Sequence, residues 1–375
     1  MSHQTHWMRT TLAEALGGRL EGPDGVVLAL RDPLEAGSDD VVVVRHERYL
    51  SVCLQSPAGL VVIGKTVPDE ALQTEKHRSG RAFLRVADTE LAWERLLHHF
   101  APHLEYPPGI HLSAQVHPSA VIGENVHIGP NVTIEQGAQV GADSLIMSGS
   151  LIGQDARLGR GCQIHPNVSI LHGVILGDRV LVQSGAVVGS DGFGFRRTPE
   201  HHHIRLPQIG TVVIENDVEI GANSVVDRGA LGATRIGART KIGPACIVAH
   251  NGQIGQDVLL IGAVQLAGSV TVGDRAVLWG QVGVIGHLTI GAGATVTAQS
   301  GVSKNLPPDQ VYRGSPARPY GEQMRLEARI HDLERMVQRI KQLEDRLAQQ
   351  GFVKPEQTSP EIGHSCPNPH ESGDA

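Results

Sequence analysis

The stretch Val116–Ile146, VHPSAVIGENVHIGPNVTIEQGAQVGADSLI, carries an aliphatic residue at every sixth position. The series Val116, Ile122, Ile128, Ile134, Val140, Ile146 continues with no polar member through Ile152, Leu158, Ile164, Ile170, Leu176 and Val182 to Val188. It resumes at Ile236 and runs through Ile242, Val248, Ile254, Leu260, Leu266, Val272, Leu278, Val284, Ile290 and Val296 to Val302. A fixed hexapeptide period is the signature of a parallel β-helix. Each hexad supplies one short strand and one corner, so three hexads close a triangular coil of 18 residues. The aliphatic residue points inward, Gly and Asn serve the corners, and successive coils stack at about 4.8 Å.

The register breaks between Val188 and Ile236. Residues 189–208, GSDGFGFRRTPEHHHIRLPQ, read as a loop ejected from the prism, and a second slip falls at Asp227-Arg228-Gly229-Ala230. Insertions in a solenoid collect on one face, often the binding face.

The flanks follow other rules. Residues 1–105 lack the hexad and read as a small α/β domain, with a capped helix over Thr11–Leu16, strands over Val41–Val44 and Gly59–Ile63, and an amphipathic helix over Ala87–Phe100. The Pro-containing stretch Ala101–Gly109 reads as a linker into a β-helix spanning 106–317. After Pro319, Leu326, Ile330, Leu333, Val337 and Ile340 alternate spacings of four and three, and Leu343 and Leu347 extend the stripe. That is the seam of a coiled coil or bundle over 318–350, or of a helix docked on its own subunit. Residues 351–375 are polar and Pro-containing, and read as a disordered tail. The architecture expected is mainly β: a parallel β-helix between an α/β domain and a helical extension.

Composition narrows the function. A formal net charge of -7 argues against a nucleic-acid footprint. Four cysteines without CxxC spacing argue against a disulfide framework or structural zinc site and suit a reducing cytoplasm. The N-terminus lacks the apolar core of a signal peptide, and no run approaches the roughly 20 apolar residues of a membrane span. A soluble cytoplasmic protein is expected.

Among 20 histidines, lattice position singles out His250, two residues after the inward Val248. Gly268 follows 18 residues later, one coil directly above, which brings its backbone N–H near the imidazole. A base beside a fixed backbone donor is the minimum for acyl transfer: the base takes a proton from an amine or hydroxyl, and the donor stabilises the developing oxyanion. His287 lies 37 residues beyond His250, two coils up and one place along.

RLPQIGTVVIENDVEIGANSVVDRGALGATRIG, the DGFGF loop, AHN and GQVGVIGHLTIG closely resemble the UDP-3-O-acylglucosamine N-acyltransferase family, over nearly the whole chain. The resemblance implies a left-handed coil and transfer of an (R)-3-hydroxyacyl group from acyl carrier protein to the 2-amino group of a UDP-3-O-acylglucosamine in lipid A synthesis. By matching motif, His250 becomes the general base, the Gly268 amide the oxyanion donor, and His287 a contact for the donor's phosphopantetheine. No separate cofactor or metal is implied, since the acyl carrier protein brings the acyl group.

The family's uridine-binding aromatic, Asn and Tyr map onto Val43, His46 and Tyr49, and only the tyrosine is kept. Asp191, Phe193 and Phe195 of the DGFGF loop are substrate-binding candidates; the alternative for the phenylalanines is a hydrophobic plug for the loop. Asp227 and Arg228 match the family, with a corner ion pair as the competing account. The family's Asp-Asn and Gln before the histidine are here Gly243, Pro244 and Ile247, so the sequence leaves open what orients His250. The resemblance also implies a homotrimer with each His250 facing the adjacent subunit. A related sugar-nucleotide N-acyltransferase using acetyl-CoA and a non-catalytic scaffold remain alternatives. A β-helix hydratase with three metal-bound histidines is disfavoured because position 292, where a ligand five residues after His287 would stand, is Ala292.

Overall fold

The computed structural model describes residues 6–72, 80–102 and 104–350, so the expected disordered tail at 351–375 lies outside the described residues. The chain divides into two compact units, Met1–Glu105 and Tyr106–Ala375.

The first unit is built on a five-stranded sheet in the spatial order Arg19–Glu21, Ala82–Val86, Leu60–Gly64, Asp40–Val43, Ala29–Leu30. Only the Arg19–Glu21 edge is antiparallel. Helices α1 (Arg9–Leu16) and α3 (Thr89–Phe100) bury Leu12, Leu16, Ala92 and Leu96 on one face, while Cys53 of α2 (Leu50–Gln55) packs on the other. Two helix starts differ from the sequence reading. Helix α1 begins at Arg9, with Met8 at its N-cap and no side-chain cap. Helix α3 begins at Thr89 rather than Ala87, because the Asp88 carboxylate accepts the N–H groups of Glu90 (2.9 Å) and Leu91 (3.1 Å).

The second unit is the parallel β-helix. Two-residue strands stack into three parallel sheets, each second residue pointing into a single core from Ile128 to Val302. Three residues after most inward aliphatics the backbone turns through the left-handed region, as at Asn125 (φ 56°), Asn131 (φ 56°) and Asp143 (φ 61°). Asn and Asp tolerate that conformation better than most residues, which explains their recurrence in the sequence.

The broken register resolves into two insertions. Leu176 pairs with Ile214 instead of a residue 18 positions on, an excess of 20 residues that equals the length of the ejected segment 189–208. Ile214 then pairs with Ile236, 22 residues on, so the Asp227–Ala230 slip adds four. The coil therefore resumes at Thr211, with Val212, Ile214, Val218 and Ile220 all buried, well before Ile236. The ejected segment has structure of its own: Phe195–Arg197 and His203–Arg205 form an antiparallel hairpin.

The C-terminal extension is two helices, α4 (Tyr320–His331) and α5 (Leu333–Gln349), rather than one, with the break at Asp332. Ile330, Leu333, Val337, Ile340, Leu343 and Leu347 are all exposed in the single chain. The stripe is therefore not docked on its own coil.

Candidate active site

Strand Ile247–Val248 lies between Val225–Val226 below and Gln265–Leu266 above, which fixes the height of the corner that follows it. His250 occupies that corner, half-buried, and its carbonyl accepts the Ser269 N–H of the next coil at 2.9 Å. The imidazole lies directly against Gly268: a Cβ there would stand 2.5 Å from both Cε1 and Nε2. On the other side is Gly192 of the ejected loop, where a Cβ would stand 2.6 Å from the His250 Cβ. The ring is thus held between two positions that admit only glycine. Among the described residues the Gly268 N–H has no intramolecular acceptor, while its carbonyl receives the His287 N–H at 3.0 Å. A free backbone donor therefore sits beside a histidine.

The structure answers what orients His250. Nδ1 lies 3.2 Å from Asn251 Oδ1. That amide is itself pinned, because Oδ1 accepts the Ala230 N–H (3.0 Å) and Nδ2 donates to the Leu231 carbonyl (2.7 Å). An oxygen fixed as acceptor requires Nδ1 to carry the proton in the neutral ring. Nε2, the nitrogen beside Gly268, is then left with its lone pair free. Asn251 itself adopts φ 61° at the coil corner, and its N–H is held by Thr234 Oγ1 at 2.8 Å. The sequence reading looked for this partner at Gly243, Pro244 and Ile247 and passed over Asn251, although the AHN triplet contained it.

Asp227 and Arg228 do not form the corner ion pair considered above. They point to opposite faces of one strand, Arg228 inward with 2 % of its surface exposed. Its guanidinium donates to the carbonyls of Gly189 (2.8 Å), His172 (2.9 Å) and Gly210 (3.3 Å) and contacts the His172 ring. These contacts join both ends of the ejected loop to the coil. Asp191 bridges Arg205 (2.7 Å) and Arg228 (3.8 Å), which ties the hairpin down. Phe193 and Phe195 stack at 4.9 Å between ring centroids but are 84 % and 45 % exposed, so they are not the hydrophobic plug of the alternative reading.

A shallow apolar groove of about 900 Å³ runs up the same face, lined by Ile247, Ala249, Ala267, Val284, Ile285 and Val302 among others. Its floor follows the outward column Ile247, Gln265, Gly283, Gly301, paired coil over coil. A Cβ at Gly283 would meet nothing within 4 Å, so the missing side chain is what opens the groove. The two outward glycines were the sequence signal for it. His287 is exposed at a corner with φ 60°.

In the first unit, Val43 is buried in its strand, 7 % exposed, and presents nothing to a ligand. His46 and Tyr49 are exposed, with ring centroids 6.2 Å apart, and the Arg48 guanidinium lies 4.7 Å over the Tyr49 ring. Tyr49 belongs to a 3-10 turn, Glu47–Tyr49.

A histidine beside a free backbone donor, on a β-helix edge with an apolar groove, is an arrangement suited to acyl transfer. Comparisons with known proteins agree and go further. The chain is 37% identical over 345 residues to the UDP-3-O-acylglucosamine N-acyltransferase of Anaeromyxobacter dehalogenans, covering 90% of this chain and 95% of that one. It is 40% identical to the enzyme of the same name from Syntrophotalea carbinolica, again covering 90% and 95%. A family model described as GMPPB C-terminal domain matches residues 106–191. A solved Arabidopsis UDP-N-acetylglucosamine acyltransferase shares 26% identity over 56% of this chain and 73% of that one, with a TM-score of 0.47. The chain belongs to the UDP-3-O-acylglucosamine N-acyltransferase family, and it is a parallel β-helix enzyme that transfers acyl groups.

Substituting Asn251→Ala frees the imidazole to rotate and should lower kcat by about tenfold or more. Gly268→Ala drives a methyl into Cε1 and Nε2 and should cost more, with little change in melting temperature. Steady-state kinetics alongside circular-dichroism melts check both.

Proposed function

We propose that the protein moves an (R)-3-hydroxyacyl group from the phosphopantetheine thioester of acyl carrier protein to the 2-amino group of UDP-3-O-acylglucosamine, a step of lipid A biosynthesis. The observation that carries this reading is the imidazole against Gly268 with Nε2 left unprotonated. In the reaction, Nε2 of His250 accepts a proton from the amine as its nitrogen attacks the thioester carbonyl. The Gly268 N–H donates to the oxyanion that forms. Collapse breaks the carbon–sulfur bond, and the imidazolium returns the proton to the departing thiol, leaving an amide. No further cofactor is needed.

The apolar groove suits the acyl chain, and His287, in the corner column of this site two coils above Asn251, suits the pantetheine arm. Tyr49 and His46 offer rings for the uracil, and Phe193, Phe195 and Asp191 border the acceptor path. The Arg48 guanidinium, already over the Tyr49 ring, offers the nucleotide a cation. The acetyl-CoA reading is not favoured, because relatives matched over 90% of the chain carry the lipid A enzyme's name.

Purified protein with 3-hydroxyacyl carrier proteins of several lengths and UDP-3-O-acylglucosamine should yield an amide, and His250→Ala should reduce it by about 10²–10⁴-fold. Product from acetyl-CoA and another amino sugar, with none from any carrier-protein donor, would reverse the assignment.

Gly283→Leu fills open space in the groove and should shift preference toward shorter acyl donors while leaving acceptor KM unchanged. Competition between donors of different length reads this directly.

The exposed stripe on α4 and α5 supports a homotrimer with His250 facing the next subunit. Light scattering should give three times the 40.0 kDa chain mass. Charged residues at both Leu333 and Ile340 should weaken that assembly.

A further inference from the structure

We propose that Asp227, clasped by Ser190 of the ejected loop, is a positioning residue that charge-balances His250 during acyl transfer. The inference rests on the reading of His250 as the base.

Asp227 lies on the outward side of strand Val225–Arg228, between the inward Val226 and Arg228. The ladder pairs Ser190 with Asp227 and Asp191 with Arg228, after a bulge between Val188 and Ser190. Ser190 Oγ donates to Asp227 Oδ1 at 2.7 Å. Burial raises the Asp227 carboxyl above its ordinary range, and Asp191 adds to the rise, while the Ser190 hydroxyl and the charge of His250 pull it back down.

The surrounding charges are otherwise spoken for. Asp191 is taken by Arg205 and Arg228. Arg228 spends its donors on the Gly189, Gly210 and His172 carbonyls and on the His172 ring. Asn251, on the histidine's own corner, is neutral, and the coil above presents Gly268, with His287 one coil further on. Among the described residues no Lys, Arg or His is ion-paired with Asp227; the ladder stacks Val226 under Val248, which places Asp227 one coil below Ala249, next to the corner that carries His250. A half-buried carboxylate without such a partner is costly, and it recurs where a charge is needed for function. Here the charge needed is the one that appears on His250 when it takes the amine proton. Asn251 sets which nitrogen is the base, and Asp227 stabilises the ring once protonated. Ser190 stands in the strand that opens the ejected loop, so seating of the loop governs the carboxylate.

The test uses full-length protein carrying Asp227→Asn, Ser190→Ala or both. Asp227→Asn should melt as wild type and lose about ten- to a hundredfold in kcat, with acceptor KM changed by no more than about twofold. A carboxylate favours the protonated imidazole, so its removal should move the acidic limb of the kcat profile to lower pH by about half to one unit. The half-protonation point of His250, read by mass spectrometry of its C2-hydrogen exchange, should move with it. Ser190→Ala should move both the same way by less and add nothing in the Asp227→Asn background. An unmoved exchange midpoint, or a loss confined to acceptor KM, overturns the proposal. The exchange measurement needs no turnover, so it separates failure of this inference from failure of the proposed reaction.

Discussion

Everything in the second unit depends on the coil-to-coil ladder. Ile247 donates to the Val264 carbonyl at 2.9 Å, Gln265 to Val282 at 2.9 Å, and Gly283 to Ser300 at 3.1 Å, so each strand is locked to the one above it. Side chains alternate between core and solvent along so short a strand, and a slip of one residue would send Val248, Leu266 and Val284 to the surface. The ladder cannot slip while the core is buried. Any outward chemistry is consequently arranged in columns whose members are 18 residues apart, and a base in one coil meets a donor in the next without either being placed by a flexible segment.

Insertions interrupt the chain but not this ladder. The 20 residues ejected after Val188 and the four added at Asp227–Ala230 both leave the inward column intact. Both also bring groups to His250: Gly192 against its Cβ, and the Ala230 N–H and Leu231 carbonyl that fix Asn251. A buried arginine would ordinarily be a liability. Arg228 is tolerated because its guanidinium satisfies backbone carbonyls that the insertions would otherwise strand, at Gly189 and Gly210.

The repeat was legible because its period is arithmetic. Counting in sixes located the prism, and counting 18 set Gly268 over His250. Counting failed wherever residues were added: between Val188 and Ile236 it missed the return of the coil at Thr211, the hairpin in the loop, and the separation of Asp227 from Arg228. The Asn251 contact was missed for a related reason, since its partners at Ala230 and Leu231 lie at the end of the four-residue slip and just after it, where register gives no guide. Periodicity likewise said nothing about whether the apolar stripe after Leu326 runs through one helix or two; the turn at Asp332 interrupts it. In the first unit, strand identity was readable from Val41–Val44 and Gly59–Ile63. That Val43 is buried while His46 and Tyr49 are exposed depended on packing against the neighbouring strand and helices.

The corner accommodates the asparagine that holds the histidine. Each coil must turn through the left-handed region three residues after its inward aliphatic, and Asn is among the few side chains that accept this conformation at low cost. Asn251 (φ 61°), Ser269 (φ 61°) and His287 (φ 60°) occupy that position in three successive coils. A residue well suited to the backbone at position 251 is thus also the partner of the side chain before it. Two coils higher, the same column presents His287. A carboxylate on Nδ1 could also orient the ring, but its charge would have to lie where Asn251 Oδ1 accepts only one backbone N–H. The acidic group is found instead on the coil below, at Asp227, where Ser190 can hold it.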